Sequence, residues 1–135
     1  MRRYSITRVL NLPEYKITGI LSETDKEIHI RLKPYIRKRA KCGGCGVEHK
    51  KSQHSQEEVV VQDKPISGLR VYLHVIKRFY KCPIDERIYV EEIDWLKKWS
   101  RITKRFAQEI NRLTAITTNQ EAGWFLGIDD ETVYR

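Results

Sequence analysis

Cysteine is scarce in this chain. Its 135 residues contain three, at Cys42, Cys45 and Cys82. A close pair plus one does not make a disulfide framework, and reduced thiols fit a cytosolic protein. Long apolar runs are also missing, so no segment offers the roughly 20 residues that a membrane-spanning helix needs. The opening Met1-Arg2-Arg3-Tyr4 lacks the apolar core of a signal peptide. These absences point to the cytoplasm and away from any membrane partner. Acid is in deficit as well: 18 Asp and Glu stand against 26 Lys and Arg, a formal net charge of +8. That imbalance turns the question of partners toward polyanions. The acids that are present show no spacing that would nominate a catalytic pair.

The cysteines organise what is there. Cys42-Gly43-Gly44-Cys45-Gly46 is half of a metal site, because a two-residue spacing lets both thiolates face one ion while the glycines free the backbone to bend. Cys82-Pro83-Ile84-Asp85 begins a second half, but Asp85 stands where a second thiolate would be. The expectation is a tetrahedral structural zinc site with three good ligands. Asp85, His49 and His54 remain open as the fourth, and imidazole is the better partner for zinc beside thiolates. The alternative is a ribbon that has lost its metal. Catalytic zinc keeps an open position with His or carboxylate ligands, so a cysteine-rich knuckle argues against a metalloenzyme. Each cysteine is better explained as a ligand than as a nucleophile.

Strand signals surround the knuckles. Tyr15 to Ile20 and Glu27 to Leu32 partly alternate around the polar turn Ser22 to Lys26, which predicts a hairpin. Val59-Val60-Val61 and the alternating run Arg70 to Arg78 predict two more strands, separated by turn chemistry from Asp63 to Gly68. The pattern gives an antiparallel sheet with both knuckles at one end. His74 falls on a face with Tyr72 and Ile76 and reads as a packing residue. After Glu92 the period changes. Trp95 and Trp99 flank Lys97-Lys98 as a hinge, Ser100 is a candidate N-cap, and Ile102, Phe106, Ile110 and Leu113 form one stripe of an amphipathic helix. Thr118 and Glu121 make a capping box for a helix from Asn119 to Leu126, which Gly127 ends. Asp129 then caps another helix. The spacing of Gly123, Gly127 and Val133 fits a helix-turn-helix. The expected class is α+β, with a β-rich ribbon domain over residues 1–94 and a truncated helical segment over 95–135.

Taken together these segments resemble the N-terminal region of transposases of the ISL-three insertion-sequence family. The resemblance rests on Cys42 to Gly46, Asp63-Lys64-Pro65 with Gly68, Lys77-Arg78-Phe79 leading to Cys82-Pro83, Glu91 to Trp95, Thr103 to Phe106, Leu126-Gly127-Ile128 and Thr132-Val133. It implies a zinc ribbon and a helix-turn-helix that together recognise the terminal inverted repeats of the element, with an acidic-triad catalytic domain downstream. Two departures stand out. The family's second knuckle usually reads C-P-x-C-G, and here both the second Cys and the Gly are replaced. The chain also stops at Arg135, before any catalytic domain, so by itself it is expected not to cut DNA.

The resulting functional expectation is a module that binds double-stranded DNA. Arg37, Lys38, Arg39 and Lys41 beside the first knuckle, with Arg101, Lys104 and Arg105, would contact phosphates, while Thr132, Tyr134 and Arg135 would read bases. Homo-oligomer formation is left open for a full-length transposase. The competing reading is a structural or protein-interaction ribbon without specific DNA binding, docking through Trp95, Trp99 and Trp124.

Overall fold

A computed structural model describes residues 10–12, 14–35, 39–48, 53–117 and 119–126. Its strands are β1 (Tyr15–Glu23), β2 (Glu27–Pro34), β3 (Lys41–Cys42), β4 (Ser55–Ile66), β5 (Leu69–Lys81) and β6 (Ile88–Glu92), followed by helices α1 (Lys104–Thr114) and α2 (Asn119–Leu126). Strand β5 is the spine. Its alternation sends Val71, Leu73 and Val75 to one face, where all three are fully buried. One edge carries β4, antiparallel from Ser55↔Phe79 to Ile66↔Leu69. The other edge is shared: β2 runs parallel to its first half, and β6 lies antiparallel against Phe79 to Lys81. The β1–β2 hairpin extends the sheet outward, and β3 adds to β6.

This arrangement corrects two expectations. The sheet is mixed, because the chain passes from β2 through the first knuckle and back along β4 before β5 begins, a connection long enough to set β2 and β5 parallel. The class is not α+β with a helix-turn-helix segment. Strand residues dominate a six-stranded sheet, and no helix-turn-helix is present among the described residues. The physical reason is the length of β4 and β5, 12 and 13 residues, which makes the lead-in hairpin and the knuckle strands parts of one sheet. Gly127, Asp129, Val133 and the final segment on which the helix-turn-helix reading depended lie outside the described residues.

The core gathers Leu10, Leu12, Tyr15, Ile17, Ile28, Ile30, Leu32, Val61, the β5 valines and leucine, Ile93 and Leu96. Trp95 packs on it edge-on to Tyr15, with ring centroids 5.2 Å apart, and so is a core contact. Two buried charged groups fix the joints. Glu91 accepts from Arg78 Nε at 2.7 Å, Nη2 at 2.9 Å and the Arg78 amide at 2.9 Å, tying β6 to β5. Asp63, 1% exposed, accepts from the Thr103 hydroxyl at 2.7 Å and from Arg105 Nε at 2.9 Å, strapping the start of α1 to β4. Gln62 adds backbone bonds to Arg101 and Thr103 at 2.8 and 3.0 Å. Thr103 is the N-cap of α1, its hydroxyl taking the Phe106 amide at 3.3 Å. Ser100 had the cap's chemistry, but its hydroxyl turns to Ile102. The predicted stripe holds: Phe106 and Ile110 are buried, with Ile102 and Leu113 beside them.

Candidate metal centre

The two knuckles are copies in backbone terms. The Cys42 amide donates to the Val47 carbonyl at 3.0 Å and the Gly46 amide to the Cys42 carbonyl at 2.8 Å. In the second turn the Cys82 amide donates to Arg87 and the Glu86 amide to Cys82, both at 2.8 Å. Each turn places its fifth residue at positive φ, +76° for Gly46 and +63° for Glu86. Strands β3, β5 and β6 set the turns side by side, since Cys42 ends β3, Cys82 follows β5 and β6 pairs with both strands.

The result brings the three sulfur atoms together, all within 4.8 Å of one another, with Cys42 and Cys82 buried. Thiolates around a tetrahedral zinc at about 2.3 Å lie roughly 3.8 Å apart, so this donor set fits such an ion with little contraction. Local amides prepare the site. Burial raises the Cys42 thiol, but hydrogen bonds from the Cys45 and Gly44 backbone outweigh it and hold Cys42 below the usual thiol range. Cys45 is lowered by the Val47 amide, yet burial and the neighbouring sulfurs of Cys42 and Cys82 leave it raised on balance. Crowded sulfur that resists a second negative charge is what a divalent cation would relieve.

The fourth position looks different. Asp85 occupies the place of Cys45 in the second turn, and its Oδ1 accepts the Arg87 amide at 2.9 Å. Its other oxygen accepts the Tyr89 hydroxyl in a short hydrogen bond, and these two bonds, Tyr89's first, hold the carboxyl below its ordinary range. Asp85 is not among the side chains that converge with the sulfurs. His54 is exposed, its Nδ1 3.2 Å from the Ser55 hydroxyl, and also stands outside the cluster. His49 lies outside the described residues. Tyr89 escaped the sequence reading: its ring covers Gly44 of the first knuckle while its hydroxyl binds Asp85 of the second. An aromatic residue seven positions after Cys82 carries no signal by spacing alone.

Residues 38–83 match the family described as the zinc-finger of transposase IS204/IS1001/IS1096/IS1165. The match spans all three cysteines. Over these residues the chain is similar to the zinc ribbon of the ISL-three transposases. A transposase for insertion sequence element IS1001 from Bordetella parapertussis is 30% identical over 102 residues, covering 73% of this chain and 25% of the relative. This chain thus spans about a quarter of that transposase's length. No solved structure matches it.

Around this ribbon the basic residues separate into groups. Arg39 and Lys41 are exposed beside Cys42, and Arg101 and Lys104 are exposed before and at the start of α1. Arg105 does not join them. Its guanidinium is committed to Asp63 and to the Leu10 carbonyl, so it belongs to the frame and corrects the expectation of a phosphate contact. Arg37, Lys38, Thr132, Tyr134 and Arg135 lie outside the described residues. His74 on β5 meets His29, its Nε2 2.8 Å from His29 Nδ1, and the His29 ring in turn stacks on Tyr72. No helix among the described residues is long and apolar enough to cross a membrane.

Proposed function

We propose that this chain is the DNA-binding zinc-ribbon portion of a transposase and that it engages double-stranded DNA at the terminal inverted repeats of its element. The observation that carries this reading is the coincidence of the family match over residues 38–83 with three converging thiols. Cys42, Cys45 and Cys82 are the proposed zinc ligands, with the fourth drawn from Asp85, His49 or His54. Zinc would supply a rigid cross-link between two turns, and the exposed Arg39 and Lys41 next to Cys42 would then meet phosphates at fixed positions. Arg101 and Lys104 offer a second pair of contacts, and Arg37 and Lys38 extend the first. Base reading is assigned to Thr132, Tyr134 and Arg135. Strand cleavage is assigned to other parts of such a transposase.

The test uses zinc-loaded protein and a labelled duplex carrying an element end, with a scrambled duplex as control. Affinity should fall with salt, and the Lys38→Ala, Arg39→Ala pair should lower the log–log slope by about two units, roughly one per lost phosphate contact. Equal slopes for the pair and the wild type would contradict the phosphate assignment. A protein-docking role is favoured by one observation, the exposure of Trp124 at 80% and Ile116 at 82%. It would be supported if the two duplexes bound alike and only as weakly as any basic protein binds DNA.

A further inference from the structure

Between β6 and α1 the chain makes a tight turn in which the Ser100 amide donates to the Lys97 carbonyl at 3.0 Å. Its third residue is Trp99, held at φ +64° and 81% exposed. A turn with positive φ at that position ordinarily takes Gly or Asn, because a side chain crowds the backbone there. A tryptophan in this place accepts backbone strain and also leaves a large apolar ring in water. Neither feature helps the fold, since the neighbouring Ile93 and Leu96 already supply the buried contacts. Strained residues of this kind concentrate where a ligand is met.

The turn is firmly mounted. Leu96 bonds back to Ile93 at 3.1 Å, the Lys104 amide reaches the Trp95 carbonyl at 3.0 Å, and Arg101 is tied to Gln62 at 2.8 Å. The indole is therefore presented by a braced loop. Beside it lies a groove of about 510 Å³ whose lining includes Phe79, Lys97, Lys98, Arg101 and Lys104. Lys98 Nζ stands 6.0 Å from the ring centroids of both Trp99 and Tyr89. Glu57, Glu91, Glu92 and Asp94 also line the groove. The segment that bears the indole, from Lys97 to Lys104, contains four cations and no acid.

We propose that Trp99 is a stacking platform for an unpaired nucleobase, with Lys97, Lys98 and Arg101 holding the phosphates on either side, so that this face takes single-stranded or locally opened DNA. Every base has a flat π-face, and an exposed indole with flexible cations at its rim is the chemistry that captures single strands without reading sequence. Bases inside an intact duplex are stacked on each other and cannot lie on a lateral ring. The platform shares Arg101 with the duplex contacts proposed above but needs an unpaired base to fill it, and the class of partner rests on that reading.

The experiment uses the zinc-loaded chain with a short oligothymidylate and with a blunt duplex, following anisotropy and tryptophan emission. Wild type should bind the single strand with quenching of emission. Trp99→Ala should weaken single-strand binding by roughly five- to a hundredfold, the range for loss of one stacked base, while duplex affinity changes less than about twofold. Trp99→Phe should restore most of the loss, which a merely structural role for the indole would not explain. Near-ultraviolet circular dichroism and thermal midpoints of the variants check that the fold is kept. Duplex binding together with equal single-strand affinity for wild type and Trp99→Ala overturns the stacking site and leaves the duplex reading intact. Failure to bind either DNA form overturns both, and retention of an acidic peptide in place of DNA would turn the same face into a protein-docking surface.

Discussion

The two knuckles share a backbone and differ in equipment. Each closes the same pair of main-chain hydrogen bonds and each turns at positive φ in its fifth residue, yet one presents two thiolates and a glycine where the other presents a thiolate, a carboxylate and a glutamate. Even the minor bond is conserved in form. The Val47 amide bonds Cys45, and the Arg87 amide bonds Asp85 Oδ1. The difference shows that the turn is specified by its main-chain ladder and by the strands that feed it, whereas metal chemistry is an addition that one side-chain change can weaken without unfolding the turn.

The sharpest way to break that comparison is to remove the one sulfur of the second turn. Cys82→Ser should abolish stoichiometric zinc and cost about 3 kcal/mol or more of stability, because zinc binding supplies on the order of 10 kcal/mol to small structural sites. Metal content by mass spectrometry and denaturant unfolding with and without chelator check this. Full zinc occupancy in Cys82→Ser would show that the sulfurs are not the ligands. The opposite change comes next. Asp85→Cys restores the missing thiolate in a turn already shaped for it, and zinc affinity measured by chelator competition should rise by one to two orders of magnitude, roughly 1.4–2.8 kcal/mol. If affinity stays level, the second turn does not aim its fourth residue at the metal.

A third effect separates the turns by what covers them. A Cβ on Gly43 would sit 2.3 Å from the Val90 carbonyl oxygen, which belongs to the β6 backbone. The corresponding stretch of the second turn holds Pro83 and Ile84, and Ile84 is 73% exposed. Gly43→Ala should therefore cost about 1–3 kcal/mol, the usual toll of forcing atoms into a filled space. Ile84→Ala should stay within about 0.5 kcal/mol of wild type. Urea midpoints decide between them, and equal losses would mean the first turn is no more tightly covered than the second.

How much of this could be read from the residues follows from distance along the chain. The hairpin, the strands around Val59–Val61 and Arg70–Arg78, the three converging sulfurs, the stripe of α1 and the bounds of α2 are local patterns, and the structure contains them. What escaped depends on partners far apart. The parallel pairing of β2 with β5 joins Ile30 to Leu73, and nothing in either strand announces the other. Arg105 read as a surface cation because Asp63, 42 positions earlier, read as a turn residue; together they form a buried joint. Ser100 and Thr103 both precede Lys104, the first residue of α1, with cap chemistry, and only the bonds of Gln62 to the 101–103 segment select Thr103. The helix-turn-helix expectation weighed glycine spacing in the tail and gave too little weight to the length of β4 and β5.

The smallest effect tests the backbone analogy alone. Gly46 and Glu86 hold the same turn position at φ +76° and +63°, and no atom lies within 4 Å of a Cβ built on Gly46. Steric room is therefore equal, and only main-chain preference distinguishes the sites. Left-handed backbone costs a residue with a Cβ about 1–2 kcal/mol, while glycine pays part of that back through the greater freedom of its unfolded chain. Gly46→Ala should then destabilise by about 1 kcal/mol, and Glu86→Gly should stabilise by under about 1 kcal/mol. Both are read by urea unfolding with zinc chelated, so that metal binding does not mask the difference. A loss of stability in Glu86→Gly would mean that the glutamate side chain supports the second turn, and the likeness between the knuckles would stop at their hydrogen bonds.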